Sequence, residues 1–293
     1  MFHIWIIYRI RSLIIVAFIT MTNKESLNKK DYKDALQTFE KLVMAAVVFS
    51  DVSGGIWTSN LGIEATKIYT RLTLSSMTIN LILPENNINH NHLWDFPSIA
   101  TLSRSFIETC HRYLYLSEQD LSDEEAEFRL KLYYFHMNSE KYRLFKETKN
   151  NENMLNEFEA KLPLMKDWIM KSAIYKSLTK QMAQKVRSGS FDMHFANEQI
   201  AERYSLIGGR FKSMYKLLSN HAHGMPFATY SQSNERGRGF ENQAELSYMV
   251  LALMLLNQYL SLIITKQVEL LSLENIDVDR YEYAKSVFTE TKN

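Results

Sequence analysis

The sequence predicts an all-α protein, a multi-helix bundle of about eight to ten helices. Three observations support this prediction. Apolar residues recur at three- and four-residue spacing along most of the chain, which is the period of a helix with one buried face. Glycine (9) and proline (4) are scarce among the 293 residues, which favours long helices with few tight turns. The chain shows no alternation of apolar and polar residues of the kind that predicts strands.

The N-terminal twenty residues are set apart from the rest of the chain. They are apolar but carry Arg9 and Arg11 near their middle. The uninterrupted apolar run Leu13–Ile19 is shorter than the ~20 residues of a membrane-spanning helix. Residues 1–20 are therefore an over-called start that precedes Met21, a membrane-associating segment, or a signal sequence. We expect residues 21–293 to form a single helical domain.

The first helices are expected over residues 31–83. Gly54 and Gly55 divide this block and predict a helical hairpin. A polar connector follows, and Asp95 or Ser98 is a good N-cap for a helix with Pro97 in its first turn. This helix is expected to end near residue 116.

The remaining helices are predicted from residues that cap helices and from glycines and prolines that end them. Acidic residues at 123–125 predict the first turn of another helix, because carboxylates stabilise a helix N-terminus. Residues 150–205 are expected to hold three shorter helices with a break at 188–190, and we expect the four prolines to separate the helical blocks. A helix over 205–226 ends at Gly224 and Pro226. The last helix, about 241–272, is apolar all round, which favours a buried central helix over a membrane span.

Charge and cysteine content narrow the possible environments. The net charge of +1 does not predict binding to nucleic acid or to an anionic membrane surface. A local basic patch is compatible with this net charge. The single cysteine, Cys110, excludes an intramolecular disulfide framework and fits a reducing cytoplasm. We therefore expect a cytoplasmic protein whose main domain does not insert stably into a membrane, with membrane association of residues 1–20 left open.

One polar stripe stands out on the helix that begins near residue 96. Arg104, Glu108, His111 and Tyr115 fall on one side of an otherwise apolar helix. Arg104 and Glu108 have the i,i+4 spacing of an ion pair. The stripe is either a solvated face or a working polar face, and burial against another helix would require its charges to be paired.

A second stripe lies on the following helix. Arg129 precedes His136 by seven residues, as Arg104 precedes His111. An Arg-x(4–6)-His pattern is typical of the HEPN helical ribonucleases. Arg187 and His194 repeat the same spacing across an expected loop, where the two side chains cannot share a helix face, so the pattern has low specificity.

Metal sites are not expected. Glu108-x-x-His111 is half of a di-iron motif, and a second Glu-x-x-His is absent from the sequence. Glu40 and Glu64 are candidates for the lone carboxylates, but the ligand set stays incomplete. We therefore expect no metal and no cofactor.

Two histidine pairs and one basic tract have simple structural interpretations. His90-x-His92 and His221-x-His223 lack supporting cysteines, and side chains two residues apart diverge on a helix. The tract NERGRG (234–239) is either an RNA contact or, more simply, a solvated loop.

Three segments carry a family resemblance: RSFIETC, EFRLKLYYFH and YKLLSNHAHG. Together they resemble a family of uncharacterised bacterial all-helical proteins with an Arg-x3-Glu helix and a late Tyr-x3-Ser-x3-His-Gly segment. The matching positions are Arg104, Glu108, Arg129, Tyr215, Ser219 and His223 with Gly224. The resemblance implies a helical bundle with an internal polar cluster, distantly similar to HEPN proteins, and suggests a stress or defence context.

Two functional hypotheses follow. The first is a HEPN-like, metal-independent ribonuclease in stress or phage defence. In such an enzyme the resemblance implies that His223 or His111 is the acid–base group and that Arg104 and Arg129 bind phosphate. Its partners would be RNA and a second copy in a homodimer. The alternative is a non-catalytic helical binding or scaffold protein, in which the polar residues form a buried structural network.

Overall fold

A computed structural model describes residues 27–85, 92–148, 152–230 and 236–273. The apolar segment 1–20, His90 and the chain after residue 273 lie outside these ranges. Within the described residues the backbone forms eleven α-helices and no strand. The all-α prediction is therefore confirmed.

The eleven helices, in chain order, are α1 (Lys29–Val52), α2 (Asn60–Ile82), α3 (Phe96–Leu116), α4 (Asp123–Thr148), α5 (Glu152–Lys171), α6 (Ala173–Ser177), α7 (Lys180–Arg187), α8 (Asn197–Arg203), α9 (Phe211–Ala222), α10 (Pro226–Tyr230) and α11 (Gln243–Leu271). A 3₁₀ helix, Leu206–Gly209, precedes α9. The helix count exceeds the expected range slightly, because α6 and α10 have five residues each and α8 has seven.

The described residues group into two compact units. The first contains the described residues up to Thr58, those between Ala65 and Leu114, and those from Asn197 onward. The second contains Ser59–Glu64 and Tyr115–Ala196. The single domain expected over 21–293 stays a prediction, since a domain is a unit that folds independently and a compact unit is defined by its internal packing alone.

Helix α11 is the central helix of the first unit, and α1 packs along it. It is the one helix in the described ranges that is long and apolar enough to cross a membrane, with a mean hydropathy of 1.7 over its most apolar window. That window is 89% buried inside the protein. Several of its polar side chains bond internally: Asn257 donates to the carbonyl of Ala35 across 2.9 Å, and Thr265 donates to that of Ser261 across 2.8 Å. The expectation of a buried central helix is confirmed.

The predicted hairpin and caps at the start of the fold are present. Helix α1 begins at a capping box, in which the Asn28 side chain accepts from two backbone amides and the Asp31 side chain accepts from the amide of Asn28. The hairpin turns at Gly54 and Gly55, and Gly55 has a φ of +77° that favours glycine. Helix α3 has Pro97 in its first turn, as predicted, and Asp95 accepts from the amide of Ser98 across 3.3 Å.

Pro163 does not separate two helices, and the prediction that it would is wrong. It lies inside α5, which is 20 residues long. A proline removes one helical hydrogen bond, but a helix continues through it when packing on both sides holds the backbone. Phe158 and Ile169 are buried on either side of it. The region expected to hold three shorter helices therefore holds one long helix, α5, followed by α6, α7 and α8.

The second unit has a small core of its own. Helices α4 and α5 pack against each other, and the end of α7 closes the cluster. Its buried members are Phe128, Leu132, Phe135, Ile169 and Val186. This core fixes α4, the helix that carries Arg129.

Candidate functional site

Helices α3 and α9 of the first unit bring together the polar residues that the family resemblance selects. Nε of Arg104 donates to Oε1 of Glu108 across 3.2 Å, which confirms the predicted i,i+4 pair. Nε and Nη2 of Arg104 each lie 3.4 Å from the hydroxyl oxygen of Tyr215 and donate to it. The Tyr215 hydroxyl in turn donates to Oε1 of Glu108. We call these three residues, with His223, the Arg104 cluster.

His223 joins the cluster at the end of α9. Nη1 of Arg104 donates to Nε2 of His223. Because a guanidinium only donates, Nε2 has to accept, so the imidazole is neutral and carries its proton on Nδ1. A Schellman motif fixes this geometry: the amide of Gly224 donates to the carbonyl of His221, and the amide of Met225 donates to that of Asn220.

The charges within the Arg104 cluster are balanced. Burial lowers the pKa of Arg104, but its hydrogen bonds with Tyr215 and Glu108 and the charge of Glu108 raise it by more, so the guanidinium stays charged. Burial and the hydrogen bond to Glu108 raise the pKa of Tyr215. The phenol therefore keeps its proton at neutral pH and remains a donor to Glu108. The guanidinium is also 5.3 Å from the centre of the Tyr215 ring, within cation–π range.

The Arg104 cluster is open to solvent on one side. The side chains of Arg104 and Glu108 are 22% and 28% exposed, and His223 is exposed. This arrangement lies between the two expectations for the stripe, since the ion pair is neither fully solvated nor fully buried. A solute can therefore reach Nη1 of Arg104 and the ring of His223 from water.

Ser219 lies one turn beyond Tyr215 on α9 and is half-buried. Its carbonyl accepts from the amide of His223 across 3.1 Å, which helps to end the helix. In the described ranges its hydroxyl makes no hydrogen bond with Arg104, Glu108 or Tyr215. The structure therefore gives the Ser219 side chain no contact within the cluster.

Arg129 makes its contacts within the second unit. Nη1 donates to Oε2 of Glu118 across 2.7 Å and to the carbonyl of Tyr115 across 2.6 Å, and Nε donates to Oε1 of Glu125 across 2.7 Å. Its guanidinium is 4.5 Å from the centre of the Tyr115 ring. The residue is only 1% exposed, so its donors face protein groups and not a cleft.

His194, which spacing alone could not place, completes this second network. The hydroxyl of Tyr115 donates to Nδ1 of His194 across 2.8 Å, and Nε2 of His194 lies 3.3 Å from Oε1 of Glu125. We call Arg129, Glu118, Glu125, Tyr115 and His194 the Arg129 cluster. A buried guanidinium with two carboxylates and stacked rings is typical of a structural network.

The profile of one protein family matches residues 68–240 of the chain. That family is described as a family of unknown function (DUF5677), and the match covers more than half of the 293 residues. The chain belongs to the DUF5677 family. The DUF5677 match includes both polar clusters and confirms the expected membership in an all-helical family of unknown function. No curated protein and no solved structure matches the chain.

Two residues of the predicted polar stripe lie inside this DUF5677 protein, so of the two alternatives for the stripe the solvated face is excluded at these positions. His111 is fully buried, with Nδ1 donating to Oδ1 of Asn197 across 2.9 Å and Nε2 accepting from the hydroxyl of Tyr259 across 2.8 Å. Burial lowers its pKa to about 4. Tyr115 is 1% exposed. The polar stripe is partly exposed in the first half of α3 and buried in the second half, because other residues cover the second half.

The two histidines near the end of α9 diverge, as expected for a pair two residues apart on a helix. His221 is buried between the rings of Phe96 and Tyr248, with centroid distances of 4.7 Å and 5.9 Å, whereas His223 is exposed. Burial and the neighbouring Arg236 lower the pKa of His221. No three histidine, cysteine or carboxylate side chains in the described part of the DUF5677 protein form a group that would hold a metal ion.

The described part of the basic tract 234–239 is a loop with Gly237 and Arg238 exposed, as the solvated-loop interpretation expects, and Arg236 anchors it to α11. Residues 234 and 235 lie outside the described ranges. Arg236 is 3.7 Å from Oε1 of Glu245, and its guanidinium is 5.1 Å from the centre of the Tyr248 ring. The amide of Gly237 donates to the same carboxylate across 3.3 Å. Arg236 thus belongs to the packed surface of the first unit.

Proposed function

We propose that the Arg104 cluster is the active site of a metal-independent ribonuclease. The observation that carries the proposal is the contact between Arg104 and His223. A neutral, exposed imidazole with its lone pair on Nε2 lies beside a charged guanidinium that Glu108 and Tyr215 hold in place. A proton acceptor next to a fixed cation is what phosphodiester cleavage by the 2′-hydroxyl of RNA requires without a metal ion.

The reaction follows from these two groups. A phosphodiester that reaches the open side of the cluster replaces His223 as the acceptor of Nη1 of Arg104, because a charge-assisted bond to phosphate is stronger than one to a neutral imidazole. This exchange frees Nε2 of His223, while Nε and Nη2 stay bonded to Glu108 and Tyr215. Nε2 then accepts the proton of the 2′-hydroxyl while the 2′-oxygen attacks phosphorus and the bond from phosphorus to the 5′-oxygen breaks. Water protonates the leaving 5′-oxygen, and the products are a 2′,3′-cyclic phosphate and a 5′-hydroxyl.

The other polar residues have supporting roles in this proposal. Arg104 stabilises the negative charge that grows on the phosphate oxygens during attack. Glu108 and Tyr215 are positioning residues, because they fix the plane of the guanidinium and touch no reacting atom. Ser219 and Arg129, which the resemblance also selects, have no part in the chemistry. A role in stress or phage defence remains part of the proposal and comes from the resemblance alone, and the cytoplasmic location comes from the single cysteine.

A second candidate function is a non-catalytic binding or scaffold protein. It is favoured by the pairing of Arg104 with three protein groups, because a fully paired network can fix the register of two helices. The partly exposed side chains of Arg104 and Glu108 and the exposed ring of His223 favour the ribonuclease, since a structural network gains nothing from an opening to solvent.

The test uses the purified full-length protein and a single-stranded RNA oligonucleotide in EDTA. We expect cleavage to products with 2′,3′-cyclic phosphate and 5′-hydroxyl ends. A matched oligonucleotide with one 2′-deoxy nucleotide should resist cleavage at that nucleotide only. Absence of cleavage, or cleavage at the deoxy position, would overturn the proposal.

A further inference from the structure

The segment that carries His223 is unusually basic for this chain. Between Arg203 and Phe240 the sequence has six basic residues and one acidic residue, a formal charge of +5, whereas the whole chain has +1. The positive charge is therefore concentrated in this part of the sequence, with Arg210, Lys212 and Lys216 at the N-cap of α9 or within it. Local concentration of this kind attracts a polyanion even when the net charge does not.

Helix α9 presents one exposed lysine toward the cluster. Lys216 and His223 are seven residues apart, which places them on the same face roughly 10 Å apart along the axis. Lys216 is exposed, and in the described ranges no carboxylate pairs with it. Lys212 continues this face in the other direction, but it lines a cleft with Glu198 and Glu202, two carboxylates that disfavour a polyanion there. The surface that attracts a polyanion therefore runs from Lys216 past His223 to α10.

Helix α10 carries exposed apolar side chains just beyond His223. Met225 is 48% exposed, Phe227 is 56% exposed and Tyr230 is 92% exposed, so three large hydrophobic side chains in six residues face water. Phe227 and Tyr230 are three residues apart and are neighbours on one face of the short helix. The buried side chain of Ala228 and the Schellman motif before Pro226 hold this helix against α9.

We propose that Lys216, His223, Phe227 and Tyr230 form a binding track for single-stranded RNA. The proposal rests on the ribonuclease function and assigns its substrate contacts. Two adjacent bases stack on the rings of Phe227 and Tyr230, and the phosphates beside them contact Lys216 and Arg104. Aromatic faces accept any base and basic side chains accept any phosphate, so we expect weak sequence preference. Paired bases in a duplex cannot reach the rings, and this favours single strands.

The experiment measures the affinity of a fluorescein-labelled 12-nucleotide 2′-O-methyl RNA by fluorescence anisotropy. This probe has no free 2′-hydroxyl, so cleavage does not disturb the measurement. We expect Phe227→Ala and Tyr230→Ala each to raise Kd about tenfold, within the usual range for one stacked base. Tyr230→Phe should bind normally. Lys216→Ala should weaken binding and reduce the salt dependence of log Kd by about 0.7, as expected for one lost phosphate contact.

Trp57→Ala is the matched control, because Trp57 is 82% exposed and lies on the turn between α1 and α2. Its Kd should equal that of the wild type, and a 12-base-pair duplex of the same sequence should bind at least tenfold more weakly than the single strand. Equal Kd values for the wild type and for the Phe227→Ala, Tyr230→Ala double variant would overturn the proposal. If that double variant instead converts a dimer to a monomer with unchanged affinity, the apolar face is an interface between two copies and the proposal is wrong.

Failure of this proposal is distinguishable from failure of the ribonuclease. If the protein cleaves no RNA but binds the 2′-O-methyl strand through Phe227 and Tyr230, the ribonuclease proposal is wrong and the binding track is supported. If both aromatic variants cleave RNA and bind it with normal affinity, the ribonuclease is supported and the binding track is wrong.

Discussion

The guanidinium of Arg104 donates to Nε2 of His223, a residue 119 positions later in the chain. This bond joins the polar stripe of α3 to the end of α9 and fixes the protonation of the imidazole, because the acceptor nitrogen carries no proton. It also places the imidazole at the exposed edge of the cluster. The proposed chemistry depends on this single relationship, and the residues around it determine how well it is held.

Tyr215→Phe removes one hydroxyl from the Arg104 cluster and keeps the ring beside the guanidinium. Arg104 loses an acceptor and Glu108 loses a donor. We expect kcat for RNA cleavage to fall about tenfold with little change in KM, because the hydroxyl positions the guanidinium and does not touch RNA. The free energy of unfolding should fall by only about 1 kcal/mol. Steady-state kinetics and urea denaturation measure the two effects.

Thr78→Val is the control for this variant, because it also removes a hydroxyl from the first unit, at an exposed position of α2 outside the Arg104 cluster and the RNA-binding track. Its kcat and stability should match those of the wild type. A kcat for Tyr215→Phe equal to that of the wild type would show that the hydroxyl bridge does not position Arg104.

Arg129→Ala should destabilise the protein far more than Arg104→Ala. Removal of Arg129 leaves Glu118 and Glu125 without a buried cation, and breaking a buried pair costs about 3–5 kcal/mol. Arg104 and Glu108 are partly exposed, so loss of Arg104 should cost about 1 kcal/mol. Thermal and chemical unfolding of both variants provide the comparison.

Arg129→Lys separates charge from geometry at the same position. A lysine keeps the positive charge but cannot donate at once to two carboxylates and a carbonyl in the same fixed plane. We expect it to recover part of the lost stability. An equal loss for Arg104→Ala and Arg129→Ala would instead favour the scaffold function, with both clusters structural.

His111 makes stability depend on pH below neutrality. Its pKa in the folded protein is about 4, whereas an unfolded histidine has an ordinary pKa near 6.5. The unfolded chain therefore binds a proton first as the pH falls, and the folded state loses stability between about pH 6.5 and pH 4. The loss approaches about 3 kcal/mol at the lower limit, from roughly 1.4 kcal/mol for each unit of pKa.

Urea denaturation of the wild type and of His111→Gln at pH 7, 6 and 5 isolates this contribution. Glutamine offers a donor and an acceptor to Asn197 and Tyr259 but does not titrate. The stability of the variant should fall less steeply from pH 7 to pH 5 than that of the wild type. Identical pH slopes would contradict the assignment of a buried, neutral His111.

Cys110 should be inert toward thiol reagents in the folded protein. It is fully buried, so a reagent cannot reach the sulfur. Burial also raises the pKa of the thiol, so little of the reactive thiolate forms. Because it is the single cysteine of the chain, its reaction with a chromogenic disulfide reports on this site alone. We expect reaction in guanidinium chloride and almost none in buffer. Rapid reaction in buffer would mean that α3 opens locally at this position.

Local sequence rules predicted most of the helices. The double glycine at 54–55 marked the α1–α2 turn, and Pro97 marked the start of α3, because these residues restrict the backbone wherever they occur. The prediction that Pro163 separates two helices was wrong, because the burial of residues on both sides in α5 outweighs the local preference of proline. Packing between distant segments decides such cases and leaves no local signal.

The candidate site was only partly predictable. The spacing of Arg104 and Glu108 predicted their ion pair, since that geometry belongs to a single helix. The association with Tyr215 and His223 came from the family resemblance and not from periodicity. The burial of His111 depends on Asn197 and Tyr259, residues of two later helices, and could not be read from α3 alone.

The most direct test of the ribonuclease proposal is the initial rate of cleavage of single-stranded RNA in EDTA by the wild type and by His223→Ala. His92→Ala is the matched control, because His92 is also exposed and lies outside the Arg104 cluster. We predict that His223→Ala lowers the rate by about a hundredfold or more, the usual contribution of a general base, and that His92→Ala leaves it unchanged. Wild-type activity in His223→Ala, or no activity in any of the three proteins, would contradict the proposal.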